Sequence, residues 1–461
     1  MGSVPTDALG GARVSAREVA LLVVRDVFPG EPGVEARPAQ AALAYRAQRG
    51  KLDARDRRFA TELSYGAIKM RRALDDALRP FLKERAKSLP STIQELLRLA
   101  VYELRYTQPD VHATLFEWVN LAKRYGHQGL GSLVNAVLRS YLREPTPEPQ
   151  RERYTDVDDY YGALYSLPTW LVRRLHARFG DELIEGICRE ANEPAAHALV
   201  ALGESERVLE MMAARGMQAS RSTIARDAVV VRASESAALD LVESAKLPFW
   251  LQSESSAAIV DILDPQRGER ILDCCSGRGN KAGQIAVRIG PNGELTCVDR
   301  DARKIAVLQE RFEEHRRFVE LPAPAVVVGD AADVALLPPE MLFDRVLLDA
   351  PCTALGVIAR HPEARWRRRP EDTERMAALQ AELLSAIAPH VKPGGRIVYA
   401  VCSTEEREST NAIDTFLADG AFVRVPLPAQ LAAFSDANGD LLMAPIEGRD
   451  GFFAACLERV R

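Results

Sequence analysis

The chain of 461 residues contains no apolar run approaching the ~20 residues that a membrane-spanning helix needs, so no membrane partner is expected. Its opening, MGSVPTDALGGARV, lacks the apolar stretch of a secretory signal, and a cytoplasmic location is expected. Met1, Gly2 and Thr6 satisfy the myristoylation pattern, but that short pattern matches many unrelated sequences and is discounted. The seven cysteines (188, 274, 275, 297, 352, 402 and 456) are odd in number and include no C-x-x-C pair. A disulfide framework and a zinc site are both disfavoured, and nothing else calls for a metal. Solenoid repeats and low-complexity segments are also missing, which excludes a repeat architecture.

Hydrophobic residues make up 47% and charged residues 27%, the balance of an ordinary globular chain. The length calls for two or three domains, since one domain spans roughly 100 to 200 residues. The net charge of −5 conceals an asymmetry: residues 1–142 carry 22 Lys and Arg against 15 Asp and Glu, a net of +7, leaving −12 for the rest. A basic first domain points to a polyanionic partner such as RNA, although a solvated helical surface would give the same count. A monomer is expected.

From Ser15 the periodicity is helical. Ser15-Ala16-Arg17-Glu18 has the form of a capping box, with Val19, Leu22, Val23 and Val27 following at helical spacing. The segments RRFATELSYGAIKMRRALDDAL, STIQELLRLAVYELRY, HATLFEWVNLAKRYG and GLGSLVNAVLRSYLRE continue the pattern and predict an all-helical domain over 1–145. Three prolines and dense charge in REPTPEPQRERYTDVDD predict a linker over 146–165. A helix, TWLVRRLHARFGDELIEGICREAN, and the short segments HALVALG, VLEMMAARGM and DAVVVRAS predict a small α+β subdomain over 166–250. Over 251–461 the apolar runs ERILDCC, GELTCVD, PAVVVGD, FDRVLLDAP and GRIVYAVCS alternate with helix-like stretches. That is the form of an α/β doubly wound parallel sheet, which binds ligands at the carboxyl ends of its strands. Asp273, Cys275, Asp299, Asp330, Asp349, Cys352 and Cys402 fall at that edge.

LDCCSGRGNKAG follows the first of these strands and opens a helix. Gly277 and Gly279 permit a tight turn and close backbone approach, and the free N–H groups of a helix start suit a carboxylate or phosphate. Asp299, at the end of the second strand, is placed to accept hydrogen bonds from ribose hydroxyls. These features suit a nucleoside-containing cofactor. NAD would favour G-x-G-x-x-G, whereas Gly277, Gly279 and Gly283 have the last spacing one residue too long, and hydride transfer gives the thiols no role. S-adenosylmethionine fits better.

Cys352, after Asp349-Ala350-Pro351, and Cys402, in IVYAVCST, occupy the same situation at the ends of two strands. One chemistry uses two such thiols. Cytosine C5 is a poor nucleophile, but a thiolate added at C6 makes it nucleophilic; a base then removes the C5 proton and the thiolate leaves, a step a second thiol can assist. An ordinary thiol, with a pKa of about 8.5, is only a few per cent ionised at pH 7. Positive or dipolar help is needed, and Lys281 and a helix N-terminus are candidates. Cys188, Cys297 and Cys456 read as small buried hydrophobes, and Cys275 as a backbone contact in the cofactor loop.

The motifs LQSESSA, LDCCSGRGNK, CVDR, GDAAD, LLDAPCTALGVIARHPEARW, YAVCS and DGFF, with LSYGAI, VYELRYT, HATLFEWVNLA and LVNAVLRSYLRE in the helical part, resemble the RsmB/Sun (Fmu) family of 16S ribosomal RNA cytosine-5 methyltransferases. The resemblance covers nearly the whole chain and implies a NusB-like helical domain, a connecting RNA-binding subdomain and a Rossmann-like class I methyltransferase domain. It implies that Cys402 attacks C6, that Cys352 helps release product, and that Asp349 contacts the target cytosine and the cofactor. It further implies that Cys275, Ser276, Gly277, Arg278, Gly279, Asn280 and Lys281 bind S-adenosylmethionine, with Asp299 at the ribose and Asp330 near the adenine. Where the family reads C-A-A-P-G-G-K, this chain has Ser276, Gly277, Arg278 and Asn280 in place of Ala, Ala, Pro and the second Gly. Val401 replaces Thr before Cys402, Arg407-Glu408-Ser409 stands where Glu-Glu-Asn is usual, and HALVALG lacks the usual Arg and Asn.

Arg360, His361, Arg365, Trp366 and Arg367 belong to the densest basic cluster, directly after the Cys352 loop. Arginine neutralises phosphate and an aromatic stacks on an unpaired base, so these residues are expected to contact RNA. The target base must leave its stack to react, which favours a loop or partly unfolded RNA, small-subunit ribosomal RNA above all. Transfer RNA is the alternative substrate. A NusB-like assembly or antitermination factor with a decayed catalytic domain is the alternative without chemistry, and a DNA cytosine methyltransferase is disfavoured because it needs no second strand-end thiol.

Overall fold

The computed structural model describes residues 14–30, 33–82, 88–201, 204–231, 249–333 and 335–461. Met1, Gly2 and Thr6, the end of HALVALG and the end of DAVVVRAS lie outside the described residues. The chain divides into two compact units, Met1–Asn192 with His361–Arg367, and Glu193–Arg360 with Arg368–Arg461.

The first unit is helical: α1 (Ala16–Val27), α2 (Ala39–Arg49), α3 (Ala54–Lys69), α4 (Arg71–Leu82), α5 (Ser91–Tyr106), α6 (Val111–Arg124) and α7 (Gln128–Arg143). The Ser15 hydroxyl accepts the Glu18 N–H at 3.2 Å and starts α1. The return half of the expected capping box is not made. Glu18 is buried, and its carboxylate accepts instead from Arg124 (2.8 Å) and Tyr125 (2.7 Å) across the unit. Val19, Val23, Leu63, Leu96, Trp118 and Val134 pack in the core, where each large apolar side chain contributes ~1.5–3 kcal/mol. Glu103 lies fully buried among them and is satisfied by Arg17, Thr114 and Trp118.

The stretch 146–165, read as a linker, carries a helix. Its prolines end at Pro149, and α8 (Val157–Leu164) starts where Asp156 accepts the Asp158 N–H at 2.9 Å. With α9 (Thr169–Phe179) and α10 (Asp181–Glu190) it belongs to the first unit. The strands of the expected 166–250 subdomain belong to the second unit. There β1 (His197–Val200), β2 (Ala219–Arg221), β3 (Ala228–Val231) and β4 (Trp250–Gln252) form a sheet in the order β2-β3-β1-β4, flanked by α11 (Ser205–Ala214). One face of this sheet, with Ala198, Val200 and Trp250, packs into a core shared with the large sheet, while Leu199, Val229 and Val231 on the other pack with Val208 and Met212 of α11 in a core of their own.

The large sheet contains β5 (Arg270–Cys274), β6 (Glu294–Asp299), β7 (Ala325–Val328), β8 (Phe343–Asp349), β9 (Val391–Val401), β10 (Phe422–Arg424), β11 (Leu441–Met443) and β12 (Phe452–Arg459). It runs in the order β10-β12-β9-β8-β5-β6-β7, with β11 paired to β12. Strands β5 to β9 are parallel, as the apolar runs predict; β10, β11 and β12 pair antiparallel and make the sheet mixed. Leu347, Val398 and Ala400 face one core and Val346, Leu348, Tyr399 and Val401 the other, so both faces are covered. Among the described residues no helix is long and apolar enough to cross a membrane.

Candidate active site

Parallel register sets the site. Cys274 pairs with Leu348 and Asp349 with Ala400, so the chain leaves β5, β8 and β9 at one edge. After β5 the backbone turns through left-handed conformations at Cys275 (φ 61°), Gly277 (φ 58°) and Gly279 (φ 82°), and then enters α12 (Asn280–Ile289). A Cβ on Gly277 would meet only the Cys275 carbonyl at 3.9 Å, which leaves the backbone open to a ligand. Asp299, buried at the end of β6, accepts the Gly277 N–H at 2.9 Å and the Asp301 N–H at 2.8 Å. Ser276 donates its N–H to the Val298 carbonyl at 2.9 Å. Asp330 is exposed beyond β7 and accepts the Ala332 N–H at 3.0 Å.

The unusual residues of this loop have partners of their own. Asn280 donates to the Leu251 carbonyl at 3.1 Å and accepts from Arg311 at 2.6 Å; Arg311 also reaches the Arg278 carbonyl at 3.3 Å. Arg278, where the resemblance leads one to expect proline, is exposed.

Lys281 donates to Asp349 at 2.6 Å and lies 5.7 Å from the centre of the Phe452 ring. Asp273, one strand over, is buried, and among the described residues neither carboxylate oxygen has a hydrogen-bond partner. Burial first, then the neighbouring Asp349, holds it well above the usual carboxylate range. Burial also pushes the Cys275 thiol up to about 12, which suits a cofactor-loop contact and not a nucleophile.

Cys352 and Cys402 meet with their sulfurs 3.4 Å apart. The hydrogen bond to Cys402, then burial, holds the Cys352 thiol well above its ordinary range. The neighbouring backbone is locked by other motifs. Gly356 donates to the Cys402 carbonyl at 3.1 Å and accepts from Gly451 at 2.8 Å, and a Cβ on Gly356 would lie 2.1 Å from the Gly451 oxygen. Ser255, from LQSESSA, donates to the Asp450 carbonyl at 2.8 Å, which fixes the start of DGFF. Two side chains absent from the sequence-based site complete it: Glu408 and Gln380, buried beneath both thiol loops. The Arg407-Glu408-Ser409 departure was the signal available for the first; none marked the second.

The expected RNA cluster is placed differently. Arg360 pairs with Asp450 at 2.9 Å and donates to the Ala196 carbonyl. Arg365 is fully buried, bound to Asn192 (2.7 Å) and the Ala191 carbonyl (2.6 Å), and burial lowers it to about 9. Trp366 donates to the Ile68 carbonyl at 2.6 Å and packs on the helical core. His361 is half-buried, while Arg367 is exposed and makes long bonds to the Arg37 (3.4 Å) and Ala36 (3.5 Å) carbonyls. Arg365 is committed to the protein interior, and the expectation that it meets RNA is corrected; Trp366 is half-buried, with its indole N–H used within the protein.

Comparison with known proteins agrees with this architecture. The model of the family "16S rRNA methyltransferase RsmB/F" matches residues 260–458, and that of the "NusB family" matches residues 14–143. A protein of Bacillus subtilis (strain 168) named "Probable ribosomal RNA small subunit methyltransferase B" is 32% identical over 427 residues, covering 89% of this chain and 92% of its own. "Ribosomal RNA small subunit methyltransferase B" of Serratia proteamaculans (strain 568) is 32% identical over 405 residues, covering 87% and 90%. A solved structure titled "Crystal Structure of PH0851" has the same fold, with a TM-score of 0.81 at 23% identity over 97% of this chain and 99% of its own. Likeness of this extent, carried by both the helical and the catalytic units, makes the chain a member of the RsmB/F family of RNA methyltransferases.

Proposed function

We propose that this enzyme methylates C5 of a cytidine in small-subunit ribosomal RNA, using S-adenosylmethionine and a covalent bond between Cys402 and C6. The observation that carries the reading is the pair of strand-end thiols 3.4 Å apart beside the Lys281–Asp349 ion pair. Residues 275–281, with Asp299 and Asp330, would hold S-adenosylmethionine, which supplies an electrophilic methyl group when bound. The open left-handed turn at Gly277 and the buried Asp299 carboxylate fit such a nucleoside.

Asp349, with one oxygen held by Lys281, accepts from the exocyclic amine of cytosine, the pairing a carboxylate makes with that base. The Cys402 thiolate adds to C6, and the C5–C6 electron pair becomes nucleophilic at C5. After methyl transfer a base takes the C5 proton, the C5–C6 double bond reforms, and Cys402 leaves as thiolate. Cys352, held protonated, is unsuited to compete for C6 and suited to assist this elimination. The named relatives act on ribosomal RNA, which favours that substrate over transfer RNA.

Wild type, Cys352→Ala and Cys402→Ala are compared on unmodified small-subunit ribosomal RNA with S-adenosylmethionine, reading methyl transfer and covalent adduct on a denaturing gel. Cys402→Ala is expected to lose both signals and Cys352→Ala to accumulate adduct. The reverse pattern overturns the thiol assignment, and transfer to transfer RNA alone overturns the substrate.

A further inference from the structure

The two thiols stand on loops from different strands, 50 residues apart in sequence, yet their sulfurs meet at 3.4 Å. Ladder pairing ends with Asp349 and Ala400; beyond it the Gly356 N–H reaches the Cys402 carbonyl at 3.1 Å, and side chains make further ties between the loops. The residue after each cysteine carries a hydroxyl, Thr353 and Ser403, and the two hydroxyls lie 3.2 Å apart. Both donate to the same oxygen of Glu408, Ser403 at 2.6 Å. The other oxygen accepts the Thr353 N–H at 2.8 Å and the Gln380 amide at 3.3 Å. Gln380 also donates to the Pro351 carbonyl at 2.9 Å, on the far side of Cys352. Tyr399 donates to the Glu408 carbonyl at 2.6 Å and anchors its backbone to β9.

Glu408 is fully buried, and among the described residues no cation pairs with it. A carboxylate in that position is costly unless hydrogen bonds satisfy it, and here the bonds come from the two thiol loops. An apolar side chain could fill the space but could not tie Thr353 to Ser403.

We propose that Glu408 is a positioning residue for the two-thiol site, binding the loop after each cysteine and so setting the approach of Cys352 to Cys402. The proposal rests on the cysteine-adduct reading above. Its charge has a second effect: Glu408 adds to the causes that keep the Cys352 thiol protonated, behind the bond to Cys402 and burial. Gln has the volume of Glu but lacks the charge and turns one acceptor oxygen into a donor, so Glu408→Gln loosens the clamp without opening a cavity.

The test has two arms. In the first, without RNA or cofactor, the pH dependence of iodoacetamide labelling at Cys352 is read by mass spectrometry in wild type, Glu408→Gln and Arg407→Ala, the last an exposed neighbour paired with Glu374. Glu408→Gln is expected to lower the labelling midpoint by about one pH unit, while Arg407→Ala leaves it unchanged. In the second, methyl transfer and adduct are followed on ribosomal RNA. Glu408→Gln is expected to lower kcat about tenfold to a hundredfold, to leave KM for S-adenosylmethionine unchanged, and to leave adduct uncleared. Ser403→Ala, which removes one donor, should move both readouts in the same direction by less and covers failure of Glu408→Gln to fold. An unchanged labelling midpoint, or activity lost only in proportion to unfolded protein, overturns the role of Glu408. Absence of adduct in wild type overturns the adduct reading instead, and the first arm still decides whether Glu408 governs Cys352.

Discussion

At the scale of single residues, two glycines with nearly the same φ separate strain from function. Gly279 (φ 82°) sits in the proposed cofactor loop, and a Cβ there would approach Leu308 to 2.8 Å. Gly268 (φ 81°) has nothing within 4 Å of its added Cβ. Alanine at either position pays the left-handed penalty of ~1–2 kcal/mol, and at Gly279 it must also displace Leu308. Both Gly279→Ala and Gly268→Ala are expected to lower the melting temperature. Only Gly279→Ala should weaken S-adenosylmethionine binding, by about tenfold for each ~1.4 kcal/mol that reaches the loop, as measured by calorimetric titration. Equal Kd values for the two variants would remove the loop from the cofactor site.

At the scale of elements, α8, α9 and α10 are joined by one titratable group. The ring nitrogens of His176 lie 2.6 Å from Asp158 and 2.6 Å from Asp181. Only the imidazolium donates from both nitrogens, so the bonds to Asp181 and then Asp158 raise the His176 pKa above its ordinary value. A raised folded-state pKa gives stability that is fully present below the unfolded value of about 6.5 and disappears as pH climbs through the folded one. The group is solvent-accessible, which limits the gain to that of a surface pair. His176→Ala should therefore lower the melting temperature by about 1–2 °C at pH 6 and by less at pH 9. A deficit that grows with pH contradicts the assignment. Elements were also where the sequence was most readable. The five runs ending at Cys274, Asp299, Val328, Asp349 and Val401 are parallel strands, because burial on both faces demands continuous apolar residues. Helix α8 was hidden because three nearby prolines and a high charge density describe its approach and not VDDYYGAL itself.

At the scale of the molecule, what the sequence concealed was which distant groups meet. Cys352 and Cys402 stand out because each follows its own strand, whereas Glu408 joins the two loops only when Thr353, 55 residues away, returns to it. The basic run after Cys352 shows the same limit in reverse. HPEARWR reads as a phosphate-binding patch, yet these residues belong to the helical unit, where the Glu363 carboxylate accepts the Ala39 N–H at 3.1 Å and Trp366 reaches Ile68. Adjacent letters cannot show that this segment of the catalytic half completes another core. Trp366→Ala distinguishes the two uses. As a packing residue, Trp366 should cost about 3 kcal/mol when truncated, seen as a lower melting temperature, with KM for RNA unchanged at a temperature where the variant is folded. As a base-stacking residue, it would raise KM for RNA and leave melting unchanged. The first outcome is expected, because its indole N–H is already used within the protein and its ring lies against the helical core.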